Sequence, residues 1–201
     1  MRLLKKLLTP LLIFHYLVYG ICESKKRILE DANRFLDEYG FISDGSDLNV
    51  LTRVLLFCPE FRNIFYVRTG AISKKLHIGF LMEIVLPRYK FLSIGTRAEN
   101  IGGGLFIQHG NSTIIHAESI GENCWVNQNV TIGDSGKGIP VIGNNVRICT
   151  GAVVLGPIKI GDNAIIGANA TVVKDVPANC TVVPSPSYIM KNNGVRVQQK
   201  L

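Results

Sequence analysis

Cysteine is scarce and poorly spaced for a cross-linked or metal-clamped scaffold. The 201-residue chain has five, Cys22, Cys58, Cys124, Cys149 and Cys180, and no CxxC pair among them. That excludes a zinc ribbon, a thioredoxin-like motif and a small disulfide fold. Scattered single thiols fit a reducing compartment, so a cytoplasmic location is expected. Charge is low at 18% against 47% apolar residues, which excludes intrinsic disorder. The net charge of +7 is spread unevenly, with 14 Lys/Arg against 9 Asp/Glu in residues 1–93 and 5 against 6 in residues 94–183. No basic stretch is interleaved with aromatics, so no nucleic-acid partner is expected.

Long apolar runs are also absent. Arg2, Lys5 and Lys6 precede a run from Leu7 to Cys22 that Thr9, Pro10, His15 and Gly20 interrupt. This is short for a spanning helix, which takes about 20 apolar residues. No small-x-small cleavage site follows it. A packed or interfacial helix is expected, with peripheral membrane contact through residues 1–22 as a second reading. Ile28, Leu29, Ala32, Phe35 and Leu36 then mark an amphipathic helix that Gly40 ends. Ser46 or Asp47 can cap another helix, and Pro59 can open the next. Residues 1–93 therefore read as an α-helical N-terminal domain.

What is present from Ile94 onward is a repeat. Aliphatic residues recur at Ile94, Ile101, Ile107, Ile114, Ile120, Val126, Ile132, Ile142, Ile148, Val154, Ile160, Ile166 and Val172. Most steps are six residues, two are seven, and Ile132 to Ile142 is ten. Neither a helix nor an alternating strand has that period, but a β-solenoid does, with three faces closing each coil. Gly often follows the aliphatic, and Asn123, Asn145, Asn163 and Asn169 fall two residues further on, where a corner needs left-handed backbone. Small or aliphatic residues such as Cys124, Val146, Ala152, Ala164 and Ala170 recur four after it and are expected in the core. Residues 94–183 are thus a parallel β-helix of about four and a half coils, and residues 184–201 a C-terminal tail. Open solenoid ends call for a cap and for oligomerisation.

Two irregularities of the repeat stand out. The ten-residue step expels Asp134-Ser135-Gly136-Lys137-Gly138-Ile139-Pro140 as a loop, and Ile107 to Ile114 holds the polar corner Gln108-His109-Gly110-Asn111. His109 there is either a surface-corner histidine hydrogen-bonded to backbone or a general base, since an imidazole titrates near working pH. His116 follows seven residues later, but two histidines cannot make a three-histidine metal site, and no metal is expected.

The segments Gly104-Leu105-Phe106-Ile107-Gln108-His109, Val130 to Lys137, Ile148 to Ala152 and Ile166 to Ala170 resemble the hexapeptide-repeat acyltransferases, in particular their serine O-acetyltransferase branch. The resemblance covers about 95 residues, nearly half the chain. It implies a left-handed parallel β-helix, acetyl-CoA as donor, a homotrimer or dimer of trimers, and active sites between neighbouring subunits. It also implies His109 as the catalytic base. Gly133, Ser135, Lys137, Thr150, Gly151, Ala168 and Lys174 are then donor-binding candidates, and Gln108 and Asn111 acceptor-binding ones. Gly133 amides are candidates for the oxyanion. Relative to that branch, Gln108 stands where an Asp precedes the histidine, Gly138-Ile139-Pro140 stands for Arg-His-Pro, and Ile94 occupies the place of the histidine's acidic partner. The expected function is acetyl transfer to a hydroxyl of a small acceptor, serine by resemblance. A sugar or polysaccharide precursor is the alternative acceptor, and a non-catalytic β-helical scaffold or binding subunit is the reading from another class.

Overall fold

A computed structural model describes residues 9–41 and 45–200. Arg2, Lys5 and Lys6, the basic part of the segment assigned to membrane contact, lie outside the described residues. A 3-10 turn (Thr9–Leu12) leads into α1 (Ile13–Ile21), followed by α2 (Lys25–Glu38), α3 (Asp47–Phe57), α4 (Pro59–Lys75) and α5 (Gly79–Val85). The expected boundaries have local causes. Ser46 Oγ accepts the Asn49 amide at 3.3 Å as the α3 cap, and Pro59 is the first residue of α4. Gly40, at φ 64°, ends α2, and the Phe41 amide reaches back to the Leu36 carbonyl at 2.9 Å.

From Leu92 the chain winds as a parallel β-solenoid of five coils with three faces. The first face stacks Leu92–Ile94, Thr113–Ile115, Thr131–Gly133, Val153–Leu155 and Thr171–Val172. The second stacks Ser119–Ile120, Val141–Ile142 and Lys159–Ile160, extended by bridges at Ile101 and Val176. The third stacks Phe106–Ile107, Trp125–Val126, Arg147–Ile148, Ile165–Ile166 and Thr181–Val182. Residues 188–192 and 195–200 then form an antiparallel hairpin in the C-terminal tail.

One position of the repeat corrects the expected register. Ile114 is 50% exposed and Ile115 is fully buried. Ile115, not Ile114, pairs with Ile94 and Ile132 in the core column. Counting by sixes and sevens misplaces it because the step from Ile107 to the buried isoleucine at 115 is longer than either. The chain also completes a fifth coil, through Val172, Val176 and Val182, beyond the expected four and a half.

Between the second and third faces runs an asparagine edge. Asn145 Nδ2 donates to Asn163 Oδ1 at 3.1 Å, and Asn163 Nδ2 to Asn179 Oδ1 at 2.9 Å, with all three residues at φ 55–60°. Beside it, Gly121 packs so close to the next coil that a Cβ there would sit 2.5 Å from the Gly143 carbonyl carbon.

The helices seal the first coil. Phe35 of α2 packs edge-on against Phe61 of α4 and Phe106 of the solenoid, at centroid distances of 5.6 and 4.8 Å. A buried pair, Arg68 and Asp31, bonds at 3.0 and 3.2 Å. Arg68 also donates to the carbonyls of Ala98, Ile101 and Gly102, and Asp31 accepts the Leu105 amide. Carbonyls that the end of a solenoid leaves open are thus satisfied by one guanidinium. The helices and coils share a continuous apolar core.

Candidate active site

The corner after Ile107 is held from several sides. His109 takes a left-handed backbone, φ 56°, unusual for a residue other than Gly or Asn, and its side chain is exposed. Its carbonyl accepts the Asn111 amide. The Gln108 amide joins the ladder through Val126, and its side-chain oxygen accepts from Asn127 Nδ2 at 2.8 Å. Asn111 Oδ1 accepts the Tyr89 hydroxyl. The two acceptor-binding candidates, Gln108 and Asn111, are therefore already engaged in holding the turn.

The helical region presses on this corner too. The Tyr39 hydroxyl at the end of α2 lies against the His109 backbone amide. Buried Gly110 sits where a Cβ would come within 3.2 Å of Glu60 Cγ in α4. Burial, aided by Glu60 and Cys58, pushes the Tyr39 hydroxyl up to about 12. Tyr39, Glu60 and Tyr89 carry no motif, so nothing in the sequence places them at this corner.

The donor-binding candidates divide between two edges. Thr150, Gly151 and Ala168 lie with His109 on the edge between the third and first faces, here the histidine edge. Backbone bonds link its turns: Asn129 to Asn111 at 2.8 Å, Gly151 to Gln128 at 3.2 Å, and Asn169 to Thr150 at 2.9 Å. Gly133, Ser135, Lys137 and Lys174 lie on the edge between the first and second faces, here the loop edge. The first face separates them by about five residues, or roughly 16 Å.

The expelled loop is organised by its first residue, Asp134. Its Oδ1 accepts the Gly136 amide at 2.7 Å and the Gly138 amide at 3.0 Å. Those bonds, the Gly138 one foremost, hold its carboxyl below the usual range. Ser135 and Lys137 are exposed on this loop, and the Ser135 hydroxyl packs near Gly156. Below the loop, on the same edge, Thr96, Arg97, Asn100, His116, Glu118 and Ile139 line a cleft of about 250 Å³. His116 thus faces a cleft that does not contain His109.

Two of the thiols, Cys58 and Cys124, are poor nucleophiles here. Burial pushes Cys58 up to about 12 and Cys124 up to about 11. Among the described residues no group of three or more His, Cys, Asp or Glu is placed to hold a metal ion.

Residues 139–174 match the family model described as bacterial transferase hexapeptide (six repeats). With three-sided coils and this repeat, the chain is similar to the hexapeptide-repeat transferases. Within that class it is similar to serine acetyltransferases. It is 45% identical over 102 residues to the one of Synechococcus elongatus, covering 48% of this chain and 42% of that protein. Against the one of Staphylococcus aureus it is 48% identical over 102 residues, covering 48% of each. The chain thus spans less than half the length of these curated relatives. The crystal structure of Neisseria gonorrhoeae serine acetyltransferase in complex with serine superimposes with a TM-score of 0.59 at 27% identity, over 81% of this chain and 67% of that one. Soybean serine acetyltransferase complexed with serine gives 0.61 at 25% identity, over 80% and 67%.

Proposed function

We propose that the chain is an acetyl-CoA-dependent O-acetyltransferase in which His109 deprotonates the acceptor hydroxyl. The observation that carries this reading is His109 itself, exposed on a left-handed corner of the solenoid. The acceptor oxygen attacks the thioester carbon while its proton passes to the imidazole. The C–O bond forms, the C–S bond breaks, and the CoA sulfur leaves with the proton that His109 returns. Amides at Gly133 are suited to the transient oxyanion. The donor needs no metal in this scheme.

The two-edge arrangement supports an active site shared between copies. His109, Thr150, Gly151 and Ala168 occupy one edge of a chain, and Gly133, Ser135, Lys137 and Lys174 another. Residues roughly 16 Å apart on one triangle do not meet around one thioester. They do meet if the histidine edge of one copy faces the loop edge of the next, which three copies around an axis allow. A homotrimer, or a dimer of trimers, is the assembly proposed.

Serine is the acceptor favoured by the relatives. A sugar hydroxyl is the second reading, favoured by apolar Ile94 and Ile139 and neutral Gln108 at positions where the serine branch carries charged or basic side chains. The location proposed is the cytoplasm. No helix among the described residues is long and apolar enough to cross a membrane. The exposed Ile13, Leu17 and Ile21 of α1, beside Phe80 and Ile84 of α5, are the surface through which peripheral membrane contact is proposed.

The test is thiol release from acetyl-CoA by the purified chain, with L-serine and a panel of simple sugars as acceptors. His109→Ala is expected to lower turnover by about 10²–10⁴-fold with acetyl-CoA affinity unchanged. Wild-type turnover in that variant overturns the assignment. A wild-type chain that binds acetyl-CoA yet transfers to no acceptor favours the non-catalytic scaffold.

A further inference from the structure

Glu60 is a buried acid with no visible use. It is 7% exposed, in the first turn of α4, and no described donor is hydrogen-bonded to its carboxylate. The nearby cation is Arg62, but its guanidinium is spent elsewhere. Arg62 Nε donates to the Leu55 carbonyl at 2.7 Å and Nη2 to the Leu56 carbonyl at 2.9 Å. Arg62 makes no ion pair with Glu60, although the two feel each other's charge. The Glu60 oxygens are not among the sealed-off polar atoms of the described residues, so they keep contact with the surface and a ligand can reach them.

The position of this carboxylate is specific. Its side chain packs against Gly110, the residue after His109, and Gly110 has no side chain to interpose. The Tyr39 hydroxyl, also against the His109 backbone, senses Glu60. Glu60, Tyr39 and His109 therefore share one corner, where the imidazole is exposed and the Glu60 side chain packs on the residue after it. A helix-dipole role explains an acid in the first turn of a helix, but not its burial beside the polar corner of another element.

We propose that Glu60 is the acceptor-recognition residue of this site, its carboxylate taking a hydrogen bond from a donor group next to the hydroxyl that His109 deprotonates. The shared chemistry is a ligand N–H or O–H, either the ammonium of an amino acid or a neighbouring hydroxyl of a sugar. This inference rests on the proposed acetyl transfer and adds the residue that reads the acceptor. Bound acceptor supplies the donor that the folded chain withholds, and a Tyr39 hydroxyl beside it orders the same end of the acceptor.

The test compares wild type, Glu60→Gln and Glu60→Asp in the full chain, with L-serine and with methyl α-D-glucopyranoside or N-acetylglucosamine as acceptors. Thiol release gives the KM of each acceptor, and the KM of acetyl-CoA is the internal control. Losing a charge-assisted hydrogen bond is expected to raise the acceptor KM in Glu60→Gln by about 10- to 100-fold. The acetyl-CoA KM stays within twofold, and Glu60→Asp recovers part of the loss. A rise confined to serine identifies an ammonium, and a rise confined to a sugar identifies a hydroxyl. The thermal midpoint of Glu60→Gln is expected to stay close to that of wild type, because no described donor depends on the carboxylate. A lower midpoint with an unchanged acceptor KM means that Glu60 only supports the helix, and the proposal falls while acetyl transfer stands. If wild type transfers acetyl to no acceptor, the proposed function fails and Glu60 loses its role with it.

Discussion

The helical region and the solenoid solve the same problem in opposite ways. The solenoid repeats one solution, with an inward aliphatic, a close-packed glycine and a left-handed asparagine in successive coils. The helical region uses solutions that occur once: Arg68 on three carbonyls, Asp31 on Arg68, and His15 on Tyr66. A repeat spreads its stability over many equivalent contacts, so single losses are shared. A cap built from single contacts concentrates it. Damage to the cap should therefore cost more per residue than damage to the repeat.

The largest expected effect is at the join. Arg68→Met leaves Asp31 buried without its counter-charge and strips donors from Ala98, Ile101 and Gly102. A loss of about 3–5 kcal/mol is expected by urea denaturation. If the variant unfolds within about 1 kcal/mol of wild type, the cap does not hold the first coil and the contrast between the regions fails.

A pH titration sharpens the same contrast. Tyr66 donates its hydroxyl proton to the Leu86 carbonyl at 2.6 Å, so His15 Nε2, 2.9 Å from that oxygen, carries the imidazole hydrogen. Nδ1 is then buried without a partner for a second proton. Burial, with Arg62 second, lowers the His15 pKa from 6.5 to about 4. The unfolded chain binds that proton more readily, so the stabilisation is complete above 6.5 and lost as pH falls towards 4. The loss amounts to roughly 3 kcal/mol. Asp31, raised by burial to about 6 despite Arg68, acts with opposite sign over part of that range. The difference between wild type and His15→Phe isolates the histidine. Equal pH profiles for the two would show that α1 is not held by a neutral imidazole.

Within the solenoid the expected cost is smaller. Gly121→Ala places a methyl against the backbone of the next coil, which moves less readily than a side chain. A loss of about 1–3 kcal/mol is expected in thermal or urea unfolding, with the far-UV spectrum unchanged. A loss as large as that of Arg68→Met would make the repeat as brittle as the cap.

The same division governs what could be read in advance. Repeating features were legible, because each coil presents the same demand: core aliphatics, corner asparagines and the expelled loop all follow from period. The register departs from expectation at Ile114 and Ile115, two adjacent isoleucines of which the second is the buried one. Helix boundaries at Gly40, Ser46 and Pro59 were legible because capping is local. His109 was singled out from a polar corner and a resemblance. Tyr39, Glu60 and Tyr89 were not legible, because their relation to His109 crosses 70, 49 and 20 residues of sequence and depends on how the helices dock. Single contacts leave no periodic trace.

The smallest effect tests whether the loop edge is a separate device from the coils beneath it. Asp134 is fully exposed and bonds only within its own loop, to Gly136 and Gly138. Its carboxyl is held below the ordinary 3.8, so the ionised form is the one the ordered loop needs. The sign follows: order is present above that ordinary value and is lost as pH falls below it. Asp134→Ala removes the bonds at all pH values. Because no core residue is touched, the thermal midpoint is expected to stay within about 1 °C of wild type, as surface changes usually do. The acetyl-CoA KM is expected to rise by about three- to tenfold, since Ser135 and Lys137 lose their preset positions. An unchanged KM would place the donor away from the loop edge and leave the histidine edge alone to bind it.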